Sequence, residues 1–324
     1  MPRLTRKIAL EEHFMHPDLI DHWATTRINI SPDLFDKARV PLEDFGEQRL
    51  SLMDTAGIDI AVLSLAGPGV QVESDTATAI RLARRCNDFL ADKMRDQPRF
   101  GGLAHLPMQD PAAASDELER CMSHLGYQGA MINGATNGAY LDEDQFSPFW
   151  ERAEALGAPI YIHPANPARM PQMFDGHSEL YGPVWGWTVE TANHALRLVF
   201  SGVFDRYPKA KLVLGHMGET IPYQLWRFDG RWKICNSQGK TLKLPPSEYL
   251  KRNLWITTSG VCSDEPLKCA LAALGEDRVL FSVDHPFEQI HLAIDWIENA
   301  DISTVTRAKI CSGNASALLG LQLP

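Results

Sequence analysis

The sequence predicts an α/β fold, a parallel (β/α)8 barrel, on three observations. Short apolar runs alternate with amphipathic stretches along all 324 residues, the pattern of repeated strand and helix units. Eight such runs are present, and a segment of helical length follows nearly every one. No Gly-x-Gly-x-x-Gly turn follows the first run, which argues against a doubly wound dinucleotide-binding sheet. A single domain over 1–324 is expected.

The first strand, Lys7–Phe14, carries the apolar run Ile8-Ala9-Leu10 and then Glu11-Glu12-His13. Side chains two apart on a strand share a face, so Glu11 and His13 aim together. Asp59–Leu65, Phe100–Met108 and Tyr127–Gly134 follow as strands two to four. Pro159–Pro164, Lys211–Gly218, Leu254–Gly260 and Arg278–Pro286 complete the set. Helical periodicity falls on Ala77–Arg95, Pro111–Leu125, Pro148–Leu156, Thr188–Phe204, Pro222–Trp232, Glu265–Leu274 and Ile302–Leu319. Asp110-Pro111, Ser147-Pro148 and Asp264-Glu265-Pro266 read as helix starts, where a side-chain oxygen serves free amides and proline suits the first turn. Two connections exceed plain barrel turns. Met15–Asp44 follows strand one, and Ala165–Trp187, with Phe174, Tyr181, Trp185 and Trp187, follows strand five. The second either covers a flat apolar ligand or packs against helices or a second subunit.

Composition bounds the function. The chain is 44% hydrophobic and 22% charged, with a formal charge of −10. That balance argues against nucleic-acid binding, but a bound cation can invert the field inside a pocket, so it says little about a small ligand. Six cysteines without a CxxC pair read as reduced thiols, and no signal-peptide core follows the start. A cytoplasmic protein is expected. No apolar stretch approaches the ~18 residues of a membrane span.

The strand ends carry the chemistry. His163 ends Tyr161-Ile162-His163-Pro164, His216 stands in Leu214-Gly215-His216-Met217-Gly218-Glu219, and Asp284 in Phe281-Ser282-Val283-Asp284-His285-Pro286. In a barrel, the ends of strands one, five, six and eight converge on one mouth. Two carboxylates and two or three imidazoles suit Zn2+ or Mn2+. Glu219 reads either as the partner that fixes the His216 tautomer or as a carboxylate at a helix N-terminus. His105 on strand three reads as structural, or as facing the barrel interior. No Gly-x-Ser-x-Gly elbow is present, and strand four has no lysine to bridge two ions, so a single metal is expected. Arg227 reads as an anchor for a substrate oxygen or as an ion pair with Asp229. Pro68, in Ala66-Gly67-Pro68-Gly69, leaves room for a planar ring.

Together Lys7-Ile8-Ala9-Leu10-Glu11-Glu12-His13-Phe14, the His163, His216 and Asp284 stretches and Thr257-Thr258-Ser259-Gly260 resemble the amidohydrolase superfamily. Within it they are similar to the metal-dependent, non-oxidative decarboxylases of hydroxybenzoates related to gamma-resorcylate decarboxylase. The resemblance implies a deformed barrel with one divalent ion on Glu11, His13, His163 and Asp284. His216 would stand beside it, Glu219 behind His216 and Arg227 at the substrate. Zn2+ is the expected ion, with Mn2+ or Mg2+ as alternatives, and a homodimer or homotetramer is implied. The expected ligand is a small aromatic carboxylic acid, with Asp284 the proton donor and His216 and Glu219 assisting. His285 departs from the pattern, since many relatives carry tryptophan there. Two other readings remain: a metal-dependent hydrolase of an amide or lactone, and an inert ligand-binding barrel.

Overall fold

The computed structural model describes residues 4–25, 31–235 and 241–323. Eight strands form one sheet in sequence order: β1 Lys7–Phe14, β2 Ile58–Leu65, β3 Phe100–His105, β4 Gly129–Asn133, β5 Pro159–His163, β6 Lys211–Leu214, β7 Leu254–Thr257 and β8 Val279–Leu280. Every adjacent pair is parallel. The sheet returns on itself, because Leu10 bridges Ser282 and the Leu10 amide donates to the Phe281 carbonyl at 3.2 Å. Parallel neighbours need crossovers, and helices such as Thr76–Asp96, Pro111–His124, Gly186–Phe200 and Asp264–Leu274 supply them. The predicted barrel is the observed one.

Several boundaries differ for one reason. Strands six to eight were expected to run on to Gly218, Gly260 and Pro286, but the ladder ends at Leu214, Thr257 and Leu280. Past those points the chain leaves the ladder to build the mouth. The connection after β1 holds the helix Pro32–Glu43, which Ser31 caps by accepting from the Leu34 amide at 3.3 Å; its residues 26–30 lie outside the described ones. Asp110 caps Pro111–His124 as expected, accepting from the amides of Ala112 and Ala113. Ser147 and Asp264 instead begin their helices as the first helical residues. The expected C-terminal helix divides into Thr304–Ala308, a wide turn over Lys309–Gly313, and Asn314–Leu319.

Two apolar layers hold the barrel. The outer layer lies between strands and helices and includes Ala9, Phe14, Ala61 and Leu63. The inner layer fills the barrel with Ile8, Leu10, Ile60, Val62, Met131, Tyr161 and Val213, against which Leu318 and Leu319 pack. Strict alternation from Ile8 and Leu10 would send Glu11 and His13 outward with Ala9. A bulge prevents this. Ala9 pairs with Ala61, but Glu12 pairs with Leu63, so one extra residue is inserted. Glu11 takes it up in the left-handed region, at φ 57°, and both Glu11 and His13 turn into the barrel.

No helix among the described residues is long and apolar enough to cross a membrane. All six cysteines are unpaired.

Candidate metal centre and its cavity

Glu11 is fully buried, and its two oxygens are treated differently. Oε2 accepts hydrogen bonds from the hydroxyls of Tyr161, Thr257 and Ser259. Oε1 is buried without a hydrogen-bond partner. Burial pushes the Glu11 carboxyl upward, with nearby His216 opposing it. Three hydroxyls thus orient one oxygen and leave the other free to ligate.

His13 Nδ1 lies 3.1 Å from Ser64 Oγ, and its Nε2 is buried without a hydrogen-bond partner. That nitrogen stands 3.1 Å from Asp284 Oδ1, itself unpartnered, without hydrogen-bond geometry between them. Such an approach is what two ligands of one ion show, since ligand bonds of ~2.0–2.2 Å hold the donors about this far apart. His163 Nδ1 lies 3.0 Å from the Pro164 carbonyl, which can only accept, so the ring carries its proton there. Its Nε2 lone pair then faces Glu11 Oε1 at 3.6 Å. Burial, and then His13, push His163 down to about 3, which keeps the imidazole neutral.

One donor atom from each of Glu11, His13, His163 and Asp284 lies within 4.8 Å of the others. The arrangement fits a divalent cation: two carboxylates and two imidazoles, with buried donor atoms that nothing else satisfies. These four are the residues expected as ligands. The strands bring them together at the carboxyl ends of β1, β5 and β8.

His216 stands beside this cluster. Its Nδ1 donates to Glu219 Oε1 at 2.7 Å, and Glu219 is 1% exposed. Nε2 faces Asp284 Oδ2 at 3.5 Å and Glu11 Oε1 at 3.8 Å. Burial opposes a charged His216 ring, but the carboxylates of Glu219 and Glu11 outweigh it and hold its pKa well above the usual value. Burial would also raise Asp284; the neighbouring His13 and His216 rings prevail and hold it below the carboxylate range. Glu219 is thus the hydrogen-bond partner of His216. Left-handed backbone recurs here, at His216 (49°), Glu219 (51°) and Asp284 (79°). Each such residue costs ~1–3 kcal/mol that the surrounding packing must sustain.

Gly215 shows how closely the cluster is packed. A Cβ there would meet Glu11 Oε2 at 2.8 Å and Ser259 Oγ at 3.0 Å. Gly215→Ala is therefore expected to displace the Glu11 carboxylate and weaken metal binding at least tenfold. Titration with a competing chelator measures it, and unchanged affinity would contradict the packing.

The centre opens into a cavity of about 1070 Å3 whose lining includes Pro68, Asn133, His163, His216, Glu219 and Asp284. Asn133 Oδ1 is buried in its wall without a partner. The loop after β5 contributes Trp185 and Trp187 to the wall, so that loop lies over the site. Arg227 is placed elsewhere: it is exposed on the helix Ile221–Trp232 and does not line the cavity. Nor is it paired with Asp229, which accepts from the Ser247 amide and hydroxyl. His285, where many relatives carry tryptophan, lines a small pocket with Glu12 and Arg49 and is not part of the cavity lining. His105 is structural, its Nε2 accepting from the Val70 amide at 2.9 Å. Sequence reasoning assigned no role to Tyr161, Thr257, Ser259 or Asn133. Tyr161 was within reach, since it lies two residues before His163 and so shares its face.

A family model described as amidohydrolase matches residues 13–321. The gamma-resorcylate decarboxylase of Polaromonas sp. strain JS666 is 45% identical, over 97% of this chain and 98% of that protein. The crystal structure of a dihydroxybenzoic acid decarboxylase from Polaromonas sp. JS666, with bound manganese and 2-nitroresorcinol, superposes with a TM-score of 0.92 at 44% identity, covering 98% of each chain. A manganese-bound 5-carboxyvanillate decarboxylase from Novosphingobium aromaticivorans superposes with the same TM-score at 34% identity, covering 99% of this chain and 97% of that one.

Proposed function

This chain belongs to the amidohydrolase family, and we infer from that premise how its buried donor cluster works. The protein is a carboxy-lyase, a metal-dependent decarboxylase that releases CO2 from an ortho-hydroxybenzoate without oxidation. The observation that carries the reading is the convergence of Glu11, His13, His163 and Asp284, with unsatisfied donor atoms, at the floor of a cavity walled by aromatic side chains. These four would hold the ion. A divalent ion held there would supply Lewis-acid polarisation of the substrate's carboxylate and phenolate oxygens. The sequence favoured Zn2+; manganese in the relatives' structures supports Mn2+ in this chain.

Loss of CO2 as such would leave an aryl carbanion, so the ring carbon bearing the carboxylate must first take a proton. The ortho hydroxyl, as phenolate, makes that carbon basic. We assign the delivery to Asp284, whose Oδ1 faces the ligand cluster while Oδ2 faces His216 Nε2. The charged His216 ring, held by Glu219, supplies the proton that Asp284 passes on, and it is recharged from solvent after each cycle. Per turnover, one proton enters the ring and one CO2 leaves. Pro68 and the unpartnered Asn133 Oδ1 line the space for the ring, and Asn133 can accept a hydrogen bond from a substrate hydroxyl. The oligomer is proposed as a homodimer or homotetramer, supported by the resemblance and by Trp226 and Ile234, which are 82% and 71% exposed. The unpaired cysteines support a cytoplasmic setting.

The test supplies 2,6- and 2,3-dihydroxybenzoate, salicylate and 5-carboxyvanillate and follows CO2 and phenol formation. Turnover of 2,6-dihydroxybenzoate is expected, abolished by chelation and restored by Mn2+. Hydrolysis of a lactone or amide panel without any CO2 release would overturn the reading.

A further inference from the structure

Resting on that decarboxylase reading, we propose that the outer part of the cavity is a subsite for an apolar chain, so that this enzyme prefers ortho-hydroxybenzoates with an alkyl group on the ring edge opposite the carboxylate. About 1070 Å3 lies at the upper end of the range that drug-sized ligands fill, ~300–1,000 Å3. A benzoate with one or two hydroxyls is a single ring and occupies only the floor.

The floor and the rim differ in chemistry. At the floor stand His163, His216, Asp284 and Asn133. The rim presents Leu34, Val72, Val184 and Trp185 to the same cavity, at 40%, 47%, 68% and 44% exposure. Large apolar side chains left in water around one opening mark a surface that binds apolar groups. The direction follows from the substrate. Its carboxylate and ortho hydroxyl belong at the floor beside the ligand cluster, so the far edge of the ring, including the position para to the carboxylate, faces the rim.

Charge narrows the class further. Among the described residues lining the cavity there is no lysine or arginine, whereas Glu265 and Glu288 both contribute to the wall. A second carboxylate on the far edge would find no cation there and, at the exposed Glu265, a like charge. An uncharged chain meets neither penalty. The same geometry therefore selects alkyl-substituted hydroxybenzoates over dicarboxylated rings of the 5-carboxyvanillate type.

The experiment uses the metal-loaded enzyme and two series, 2,6-dihydroxybenzoates and unreactive 2-nitroresorcinols, each bearing methyl, propyl or pentyl para to the carboxylate or nitro group. Dissociation constants of the nitro series by calorimetry are expected to fall about threefold per added methylene, close to the gain for burying each one. The kcat/KM of the pentyl substrate should exceed that of 2,6-dihydroxybenzoate at least tenfold, with 5-carboxyvanillate below both. Val184→Asp should flatten the dependence of binding on chain length. Binding that is flat or weakens with chain length, while 2,6-dihydroxybenzoate is still turned over, would overturn the apolar subsite and leave the decarboxylase standing. Failure of 2,6-dihydroxybenzoate itself would overturn both.

Discussion

Asp284→Asn is expected to lower CO2 release at least ~10²- to 10⁴-fold, the contribution of a general acid placed at the reacting atom. The variant keeps the shape of the side chain, and its amide oxygen can still face the ligand cluster as Oδ1 does, 3.1 Å from His13 Nε2. What it loses is the acidic oxygen facing His216 at 3.5 Å. Asparagine has no proton to deliver to carbon at neutral pH, and the left-handed backbone at this position, φ 79°, is one that asparagine tolerates well. The fold should therefore survive. Turnover and metal content are measured on the same preparation, because a variant that has lost its ion tests binding rather than proton transfer. Near-normal turnover in a metal-loaded Asp284→Asn enzyme would remove Asp284 from the proton-donor role.

His163→Ala and Glu11→Gln are expected to lose the ion and, with it, essentially all activity. His163 has its Nδ1 committed to the Pro164 carbonyl and its other nitrogen free for the cluster, so its removal deletes one donor to the ion and one hydrogen bond to that carbonyl. Glu11→Gln acts differently. The three hydroxyls of Tyr161, Thr257 and Ser259 converge on one carboxylate oxygen. An amide keeps an acceptor for them but turns its NH2 into the site, where a cation is repelled. Elemental analysis after gel filtration checks both. Wild type should hold close to one ion per chain and each variant a small fraction of that. Full occupancy in either variant would contradict its assignment as a ligand. Thermal unfolding offers a second reading: ligand binding stabilises by mass action, so chelation should lower the melting temperature of wild type and leave that of His163→Ala nearly unmoved.

Much of this centre was legible before any coordinates. The ligands sit at strand ends, and strand ends in a parallel barrel share a mouth, so Glu11, His13, His163, His216 and Asp284 could be grouped from their positions in the apolar runs; singling out the four without His216 rested on the family resemblance. Glu219 was legible as an i+3 neighbour of His216, which a single turn brings within 2.7 Å. Arg227 was not, because a helix periodicity does not say which face looks toward a cavity formed by distant loops. Asn133 and Ser259 escaped for a related reason. A neutral polar residue in a strand or just past its end is ordinary until its neighbours in the folded barrel reveal an unpartnered oxygen or a carboxylate to hold.

The order of strands and helices, and the placing of ligand-type residues at strand ends, follow from local apolar periodicity and backbone preference alone. Which way Glu11 and His13 point depends on contacts that exist only in the folded barrel. Alternation from Ile8 and Leu10 sends them outward, and the inserted residue between the Ala9 and Glu12 pairings turns them in. That insertion places Glu11 in a disfavoured backbone region, φ 57°, where only contacts from distant parts of the chain can hold it. Tyr161 and Thr257 supply them from strands, and Ser259 from the turn after β7, all remote in sequence and close together in the closed barrel. Local preference cannot encode such a position, because its stability resides in groups that meet only after the barrel has formed.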